Sequence, residues 1–169
     1  EIMKNLVVAF DLDGTLIDST HRQRVKEDGS FDIEYWLRNI KYSKISEDSL
    51  LPLYDLYLEL KKTNHTIIAV TARKISLHDM TFFKDNGIYF DKILHRGDSK
   101  ELDEVLKDQQ LQKYFEENGL IPFIAFDDKQ ENLDVFDKYG FRTFHATYMN
   151  DKLLEKKYNP KIKPENYKN

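Results

Sequence analysis

The stretch Leu6-Val7-Val8-Ala9-Phe10-Asp11-Leu12-Asp13-Gly14-Thr15 decides the fold class of this chain. Its apolar first half is rich in strand formers, which predicts a buried parallel strand that ends at Asp11. Two carboxylates follow at positions i and i+2, where the strand opens into a loop, so both can face one ligand. Gly14 permits the tight turn at this point. An acidic turn without chemistry is the alternative, but the placement directly after a strand favours a ligand site.

The rest of the chain repeats this alternation of apolar strands and amphipathic helices. Strand-like runs lie at residues 66–70 and 121–126, with weaker candidates at 92–94 and 141–145. Apolar stripes at helical spacing lie within residues 50–60, 77–87, 99–118 and 133–140, and a short helix is expected within 31–40. Strands that alternate with helices imply βαβ crossovers. We therefore expect an α/β protein, with helices on both faces of a parallel sheet.

Polar residues follow three of the expected strands. In a parallel sheet, ligands bind at the carboxyl ends of the strands. The residues that stand there are Asp11, Asp13, Thr71, Arg73, Asp127 and Asp128. Their convergence is the main functional signal of the sequence.

The composition is that of a soluble globular protein. The chain has 169 residues, no cysteine and a formal net charge of −4. The absence of cysteine excludes disulfides, thiolate zinc sites and cysteine nucleophiles, and the charge disfavours generic attraction to DNA or anionic membranes. No apolar run approaches the length of a membrane span, and no signal peptide is evident. We expect a soluble, cytoplasmic protein without a membrane partner.

The order of these motifs resembles that of haloacid dehalogenase (HAD) superfamily phosphohydrolases. The Asp-x-Asp-Gly-Thr sequence at 11–15 resembles the first motif, Thr71 after the second strong strand the second, and Asp127-Asp128 the fourth. A lysine on the helix after the third strand is the third motif. The resemblance covers roughly residues 5–147. It implies a three-layer α/β/α, Rossmann-like HAD fold with a small cap.

The resemblance divides the chain into a domain and a tail. Residues 1–149 form the expected HAD-like phosphatase domain, with residues 18–49 as a reduced cap or insertion. Residues 150–169 hold six lysines, three acids and two prolines, which predicts a lysine-rich C-terminal tail. The oligomeric state is not predicted.

The resemblance also implies a carboxylate nucleophile assisted by Mg²⁺. Asp11 is then the nucleophile and a metal ligand, and Asp13 is the general acid and base that binds the metal through its main-chain carbonyl. Asp128 is the expected metal carboxylate of its pair and Asp127 supports it, with the reverse order left open. Clustered carboxylates repel by roughly 4 kcal/mol per pair at about 4 Å and an effective dielectric constant of about 20. A Mg²⁺ ion relieves this repulsion and prefers oxygen ligands.

Two further catalytic positions follow from the same resemblance. Thr71 is expected to hydrogen-bond the substrate phosphate. Lys107 or Lys100 is the third-motif lysine, and Lys107 is preferred because it lies four residues after Asp103, on the same helix face.

A set of cations resembles the phosphatase domain of bacteriophage polynucleotide kinase/phosphatase. Arg22, Arg73, Arg96 and Lys100 match its basic positions and are the expected substrate-binding residues. Lys129 stands where that family has an arginine, and lysine does not grip phosphate bidentately. No Gly-x-x-x-x-Gly-Lys-[Ser/Thr] motif occurs, so we expect no kinase domain in this chain.

The sequence thus favours a Mg²⁺-dependent phosphomonoesterase that acts through an aspartyl-phosphate, with the 3′-phosphate of a polynucleotide end or nucleotide as substrate. The alternatives are a 5′(3′)-deoxyribonucleotidase that acts on free nucleoside monophosphates, or another HAD phosphatase or phosphomutase of small metabolites. Turnover is expected, since the motif carboxylates are intact. Trp36 is a candidate for stacking on a base, and its other interpretation is an anchor for a short helix.

Overall fold

Five parallel strands form the central sheet of the computed structural model, which describes residues 6–158 and the side chains of residues 6–154. The strand order is β5-β4-β1-β6-β7. The bounds are β1 (Leu6–Phe10), β4 (Thr66–Val70), β5 (Lys92–Leu94), β6 (Ile121–Asp127) and β7 (Arg142–His145). The chain passes from β1 outward to β5 and then returns to the other side of β1, so the order reverses between β1 and β6. Such a reversal creates a crevice at the carboxyl ends of the strands.

The sheet is covered on both faces, as its alternating residues require. In β1, Val8 and Phe10 belong to one apolar core, and Val7 and Ala9 belong to the other. The first core includes residues of α3 (Leu53–Lys61), α4 (Leu77–Asp85) and α7 (Ala146–Tyr158). The second includes residues of α5 (Asp103–Glu117) and α6 (Gln130–Lys138). The prediction of a three-layer α/β/α, Rossmann-like HAD fold is confirmed.

The segment between residues 18 and 49 is closed at its base by a small two-stranded antiparallel sheet. Strand β2 (Ile17–Asp18) pairs with β3 (Ser49–Leu50). Between them lie a 3-10 helix (Thr20–Arg22), α1 (Ile33–Arg38) and α2 (Tyr42–Ile45). The sequence pattern predicted α1 but neither the β2–β3 pair nor α2, because two to four residues are too few to show a period.

The expected C-terminal tail begins too early at residue 150. Helix α7 continues to Tyr158, and Asn150 is buried against the domain. Its side chain accepts a hydrogen bond from the Leu53 backbone N–H at 2.8 Å and donates one to the Thr15 carbonyl at 3.0 Å. The lysines of this stretch hid a helix that packs Met149 and Leu153 against the core. The remainder of the expected tail, residues 159–169, lies outside the described residues.

No helix within residues 6–158 has both the length and the apolar character that crossing a bilayer requires.

Candidate active site

Three carboxylates meet in the crevice between β1 and β6. Phe10 pairs with Phe126 across the two strands, and the Asp11 backbone N–H donates to the Phe126 carbonyl at 3.0 Å. Asp11 therefore lies beside Asp127 and Asp128, and one carboxylate oxygen from each of the three lies within 4.8 Å of the others. A compact set of carboxylate oxygens is the donor set that a hard divalent cation prefers.

Lys107 is the cation inside this cluster. Its Nζ donates to Asp11 Oδ1 at 3.1 Å and to Asp127 Oδ2 at 2.6 Å, and the residue is 1 % exposed. Helix α5 carries it inward from one turn after the helix start at Asp103. Lys100 instead lies exposed in the loop that precedes α5. The geometry favours Lys107 as the lysine that acts on Asp11.

The cluster holds more negative charge than Lys107 neutralises. Burial, followed by the charge of Asp127, raises the pKa of Asp11 well above its ordinary value, although Lys107 lowers it. Burial and Asp127 likewise raise the pKa of Asp128. Burial lowers the pKa of Lys107, but Asp11 and Asp127 outweigh that effect and raise it overall. These residues fit a bound cation, because a second positive charge would relieve the repulsion that Lys107 leaves.

The two adjacent aspartates differ in what surrounds them. Asp127 is fully buried, and its oxygens accept hydrogen bonds from Lys107, from the Lys129 backbone N–H at 3.0 Å and from Asn132 Nδ2 at 3.2 Å. Asp128 is half-buried and lies against Gly14, where an added Cβ would stand 2.3 Å from Asp128 Oδ2. The donors around Asp127 favour Asp128 as the direct metal ligand.

Asp13 is held by a guanidinium. Arg73 donates from Nε to Asp13 Oδ2 at 3.0 Å and from Nη2 to the other oxygen, which also accepts from Ser19 Oγ. Burial raises the pKa of Asp13, but the charge and hydrogen bonds of Arg73 outweigh burial and lower it overall. These contacts hold Asp13 in place and favour its ionised form.

The guanidinium of Arg73 is itself surrounded by carboxylates. Its Nη1 donates to Asp79 at 2.7 Å, and its Nη2 lies 3.6 Å from Asp48. Arg22 places Nε and Nη2 on the same Asp48, each at 2.9 Å, and is 1 % exposed. The sequence predicted that Arg22 and Arg73 bind substrate. Both arginines lie in a buried network of ion pairs, and their contact with a substrate stays a prediction.

Arg96 and the aromatic residues also have protein partners. Arg96 donates to the carbonyls of Ala72, Ser99 and Glu101 and to the carboxylate of Asp103, so it holds a loop together. Trp36 is 9 % exposed and is covered by the Arg22 guanidinium, 4.2 Å from its ring centroid. These contacts make Trp36 an anchor of the 18–49 segment, which is its second interpretation above, and leave its ring little surface for a base.

Thr71, the remaining predicted site residue, lies at the carboxyl edge of the sheet, like Asp11. Thr71 follows β4, the neighbour of β1, and is 1 % exposed. Its Oγ1 accepts a hydrogen bond from the Arg73 backbone N–H at 3.0 Å. Its contact with a phosphate stays a prediction.

Sequence reasoning missed Asp48 and Asn132. Asp48 meets Arg22 across 26 positions, a pairing that no motif announces. Asn132 follows Asp127 by five positions, and a buried polar residue on a helix face was its one available signal.

The fold and the acidic crevice define a HAD-type phosphatase. A haloacid dehalogenase-like hydrolase from Streptococcus pneumoniae has the same fold, with a TM-score of 0.61 at 16% identity over 84% of each chain. Residues 2–161 match the family model described as bacteriophage T5 5′-deoxynucleotidase, and the chain belongs to that family. It is 30% identical to the 5′-deoxynucleotidase of Escherichia phage T5, over 87% of this chain and 69% of that protein.

The resemblance to polynucleotide kinase/phosphatase is supported at the level of the fold alone. A chain of the Pnkp1/Rnl/Hen1 RNA repair complex matches with a TM-score of 0.60 at 20% identity. The match covers 83% of this chain and 42% of that chain.

Proposed function

We propose that this phosphatase is a Mg²⁺-dependent 5′-deoxyribonucleotidase that acts on free deoxyribonucleoside monophosphates through a phosphorylated Asp11. The observation that carries the proposal is the cluster of Asp11, Asp127, Asp128 and Lys107 in the β1–β6 crevice. Membership in the phage T5 family supports the nucleotide substrate.

Asp11 and Asp13 divide the chemistry between them. In the first step an Asp11 oxygen bonds to phosphorus, the bond to the sugar oxygen breaks, and that oxygen takes a proton from Asp13. A dianionic phosphate close to Asp13 raises its pKa and so favours the protonated form that this step needs. In the second step Asp13 takes a proton from water, the water oxygen bonds to phosphorus, and the bond to Asp11 breaks.

The supporting residues keep the nucleophile in place. Lys107 orients Asp11 and lowers its pKa against the effect of burial, and Asp127 holds Lys107. Asp11, Asp128 and the Asp13 main-chain carbonyl would hold Mg²⁺, which neutralises charge on the phosphate when bound. We assign substrate-phosphate binding to Thr71 as well.

The hydrogen bonds that the arginines make within the protein favour a small substrate. Arg22, Arg73 and Arg96 donate to carboxylates and carbonyls of the protein itself. Reading a nucleic-acid backbone calls for guanidinium groups that face the phosphates. We further propose that residues 18–49 are the whole cap, which leaves the crevice accessible to a free nucleotide.

A substrate panel tests the proposal. The five substrates are deoxyribonucleoside 5′-monophosphates, their 3′ isomers, 3′- and 5′-phosphorylated oligonucleotides, and a sugar phosphate, each with Mg²⁺. We expect the highest kcat/KM for the free 5′-deoxyribonucleotides. A higher kcat/KM for the 3′-phosphorylated oligonucleotide would establish the polynucleotide 3′-phosphatase instead. A higher value for the sugar phosphate would establish a metabolite phosphatase.

A further inference from the structure

Asp48 is a buried carboxylate that lies close to two buried arginines, Arg22 and Arg73. It lies between α2 and β3, and its side chain is fully buried. Its Oδ1 accepts from Arg22 Nε at 2.9 Å and lies 2.7 Å from His21 Nε2, and its Oδ2 accepts from Arg22 Nη2 at 2.9 Å. A buried carboxylate with this many partners has one orientation available to it.

The same carboxylate connects the 18–49 segment to the loop between β4 and α4. Asp48 Oδ2 lies 3.6 Å from Arg73 Nη2, and Arg73 belongs to the loop between β4 and α4. Asp79, at the start of α4, fixes Nη1 of the same guanidinium at 2.7 Å. Asp48 and Asp79 therefore restrain Arg73 from two sides, which leaves Nε and Nη2 aimed at Asp13.

Asp48 also holds the guanidinium of Arg22. Its Nε and Nη2 each donate to an Asp48 oxygen at 2.9 Å. The Arg22 fork is therefore held by Asp48, whereas Arg73 and Ser19 hydrogen-bond Asp13. Arg73 then remains the guanidinium that sets the position of the Asp13 carboxylate.

We propose that Asp48 is a positioning residue for phosphate hydrolysis, which acts by orienting Arg73 and, through it, Asp13. The proposal rests on the assigned acid–base role of Asp13 and does not depend on which phosphomonoester is the natural substrate. Because Asp48 acts on the orientation of Asp13 and not on substrate binding, its loss lowers kcat far more than it changes KM. A misplaced catalytic group costs roughly 10- to 100-fold in rate.

The test is a double-mutant cycle with an aryl phosphate and Mg²⁺. Asp48→Asn should lower kcat roughly 10- to 100-fold while KM changes less than about threefold. Arg73→Lys keeps the charge but lacks the planar fork that joins Asp48 to Asp13. In the Arg73→Lys background, Asp48→Asn should therefore lower kcat less than about threefold. An equal loss in both backgrounds would show that Asp48 acts independently of Arg73 and would overturn the proposal.

The matched control is Asp32→Asn in the same cap. Asp32 is 9 % exposed, pairs with Arg24 and caps α1, so it has a comparable burial and a partner away from Asp13. Its kcat should equal that of the wild type. If Asp48→Asn does not fold by circular dichroism, Asp48→Glu replaces it in the cycle, since it keeps the charge and displaces the carboxylate by one methylene. Wild-type kcat in a folded Asp48 variant would overturn the proposal, whereas no turnover of any phosphomonoester by the wild type would instead overturn the proposed function.

Discussion

At the scale of the residue, the site depends on one lysine that is buried between two carboxylates. Lys107 contacts Asp11 and Asp127 with its charge almost wholly desolvated. Breaking a buried ion pair leaves uncompensated charge in the interior, which is strongly destabilising. Lys100 offers a matched comparison on the same stretch of chain, because it is exposed.

Replacement of these two lysines should therefore separate their roles. Lys107→Met should abolish turnover and lower the free energy of unfolding by about 3 kcal/mol. Lys100→Met should change the free energy of unfolding by less than about 0.5 kcal/mol and leave turnover intact. Urea unfolding and aryl phosphate kinetics measure both. Loss of activity in Lys100→Met with an active Lys107→Met would reverse the assignment.

The sequence indicated that Lys107 lies near a strand end, but it could not show whether the arginines face the substrate or pair with carboxylates of the protein. Order and spacing along α5 are local properties, so they place a lysine near a strand end. The pairing of Arg22 with Asp48 spans 26 positions and depends on how the segment between β2 and β3 folds. A guanidinium that faces substrate and one that is buried among carboxylates look the same in a sequence.

At the scale of the element, the turn after β1 requires a glycine for two reasons. Gly14 has φ +80°, and an added Cβ would stand 2.3 Å from Asp128 Oδ2. Gly140, after α6, has φ +96° but nothing within 4 Å of an added Cβ. A substitution at either glycine would therefore strain the backbone, but only a substitution at Gly14 would also clash with Asp128.

Alanine at each position should separate strain from the active site. Both Gly14→Ala and Gly140→Ala should lower the free energy of unfolding by at least about 1 kcal/mol, since alanine at positive φ is strained. Only Gly14→Ala should also lose turnover, because Asp128 must move. Equal kcat/KM values in the two variants would show that the position of Asp128 is not critical.

The elements themselves were predicted unevenly. The strands β1 and β4 match their apolar runs, because a buried parallel strand has a continuous apolar signature. Helix α7 was missed, because its lysines suggested a solvated tail while Met149 and Leu153 pack inward. The fold was therefore predictable where burial is complete, and it was not where a helix is only half covered.

At the scale of the whole molecule, the crevice joins charges from distant parts of the chain. Asp11 and Asp128 come together only when β1 and β6 pair. Folding thus brings together carboxylates that repel one another. A cation that binds only the folded state relieves this repulsion and stabilises the fold.

Mg²⁺ should therefore raise the melting temperature as well as the activity. EDTA should stop turnover, and added Mg²⁺ should restore it. At a Mg²⁺ concentration about 100 times its dissociation constant, the stability gain is about 2.7 kcal/mol. The rise in melting temperature should disappear in Asp128→Asn and persist in Asp98→Asn, whose carboxylate is exposed beside Lys74. An equal rise in both variants would place the cation elsewhere.

The identity of the phosphorylated residue tests the central claim most directly. Enzyme that is turning over an aryl phosphate with Mg²⁺ is quenched with borohydride, which reduces an aspartyl-phosphate to homoserine, and peptides are read by mass spectrometry. We expect homoserine at position 11, dependent on substrate and absent in Asp11→Asn. Continued turnover without modification at position 11, or with modification at another aspartate, would contradict the account.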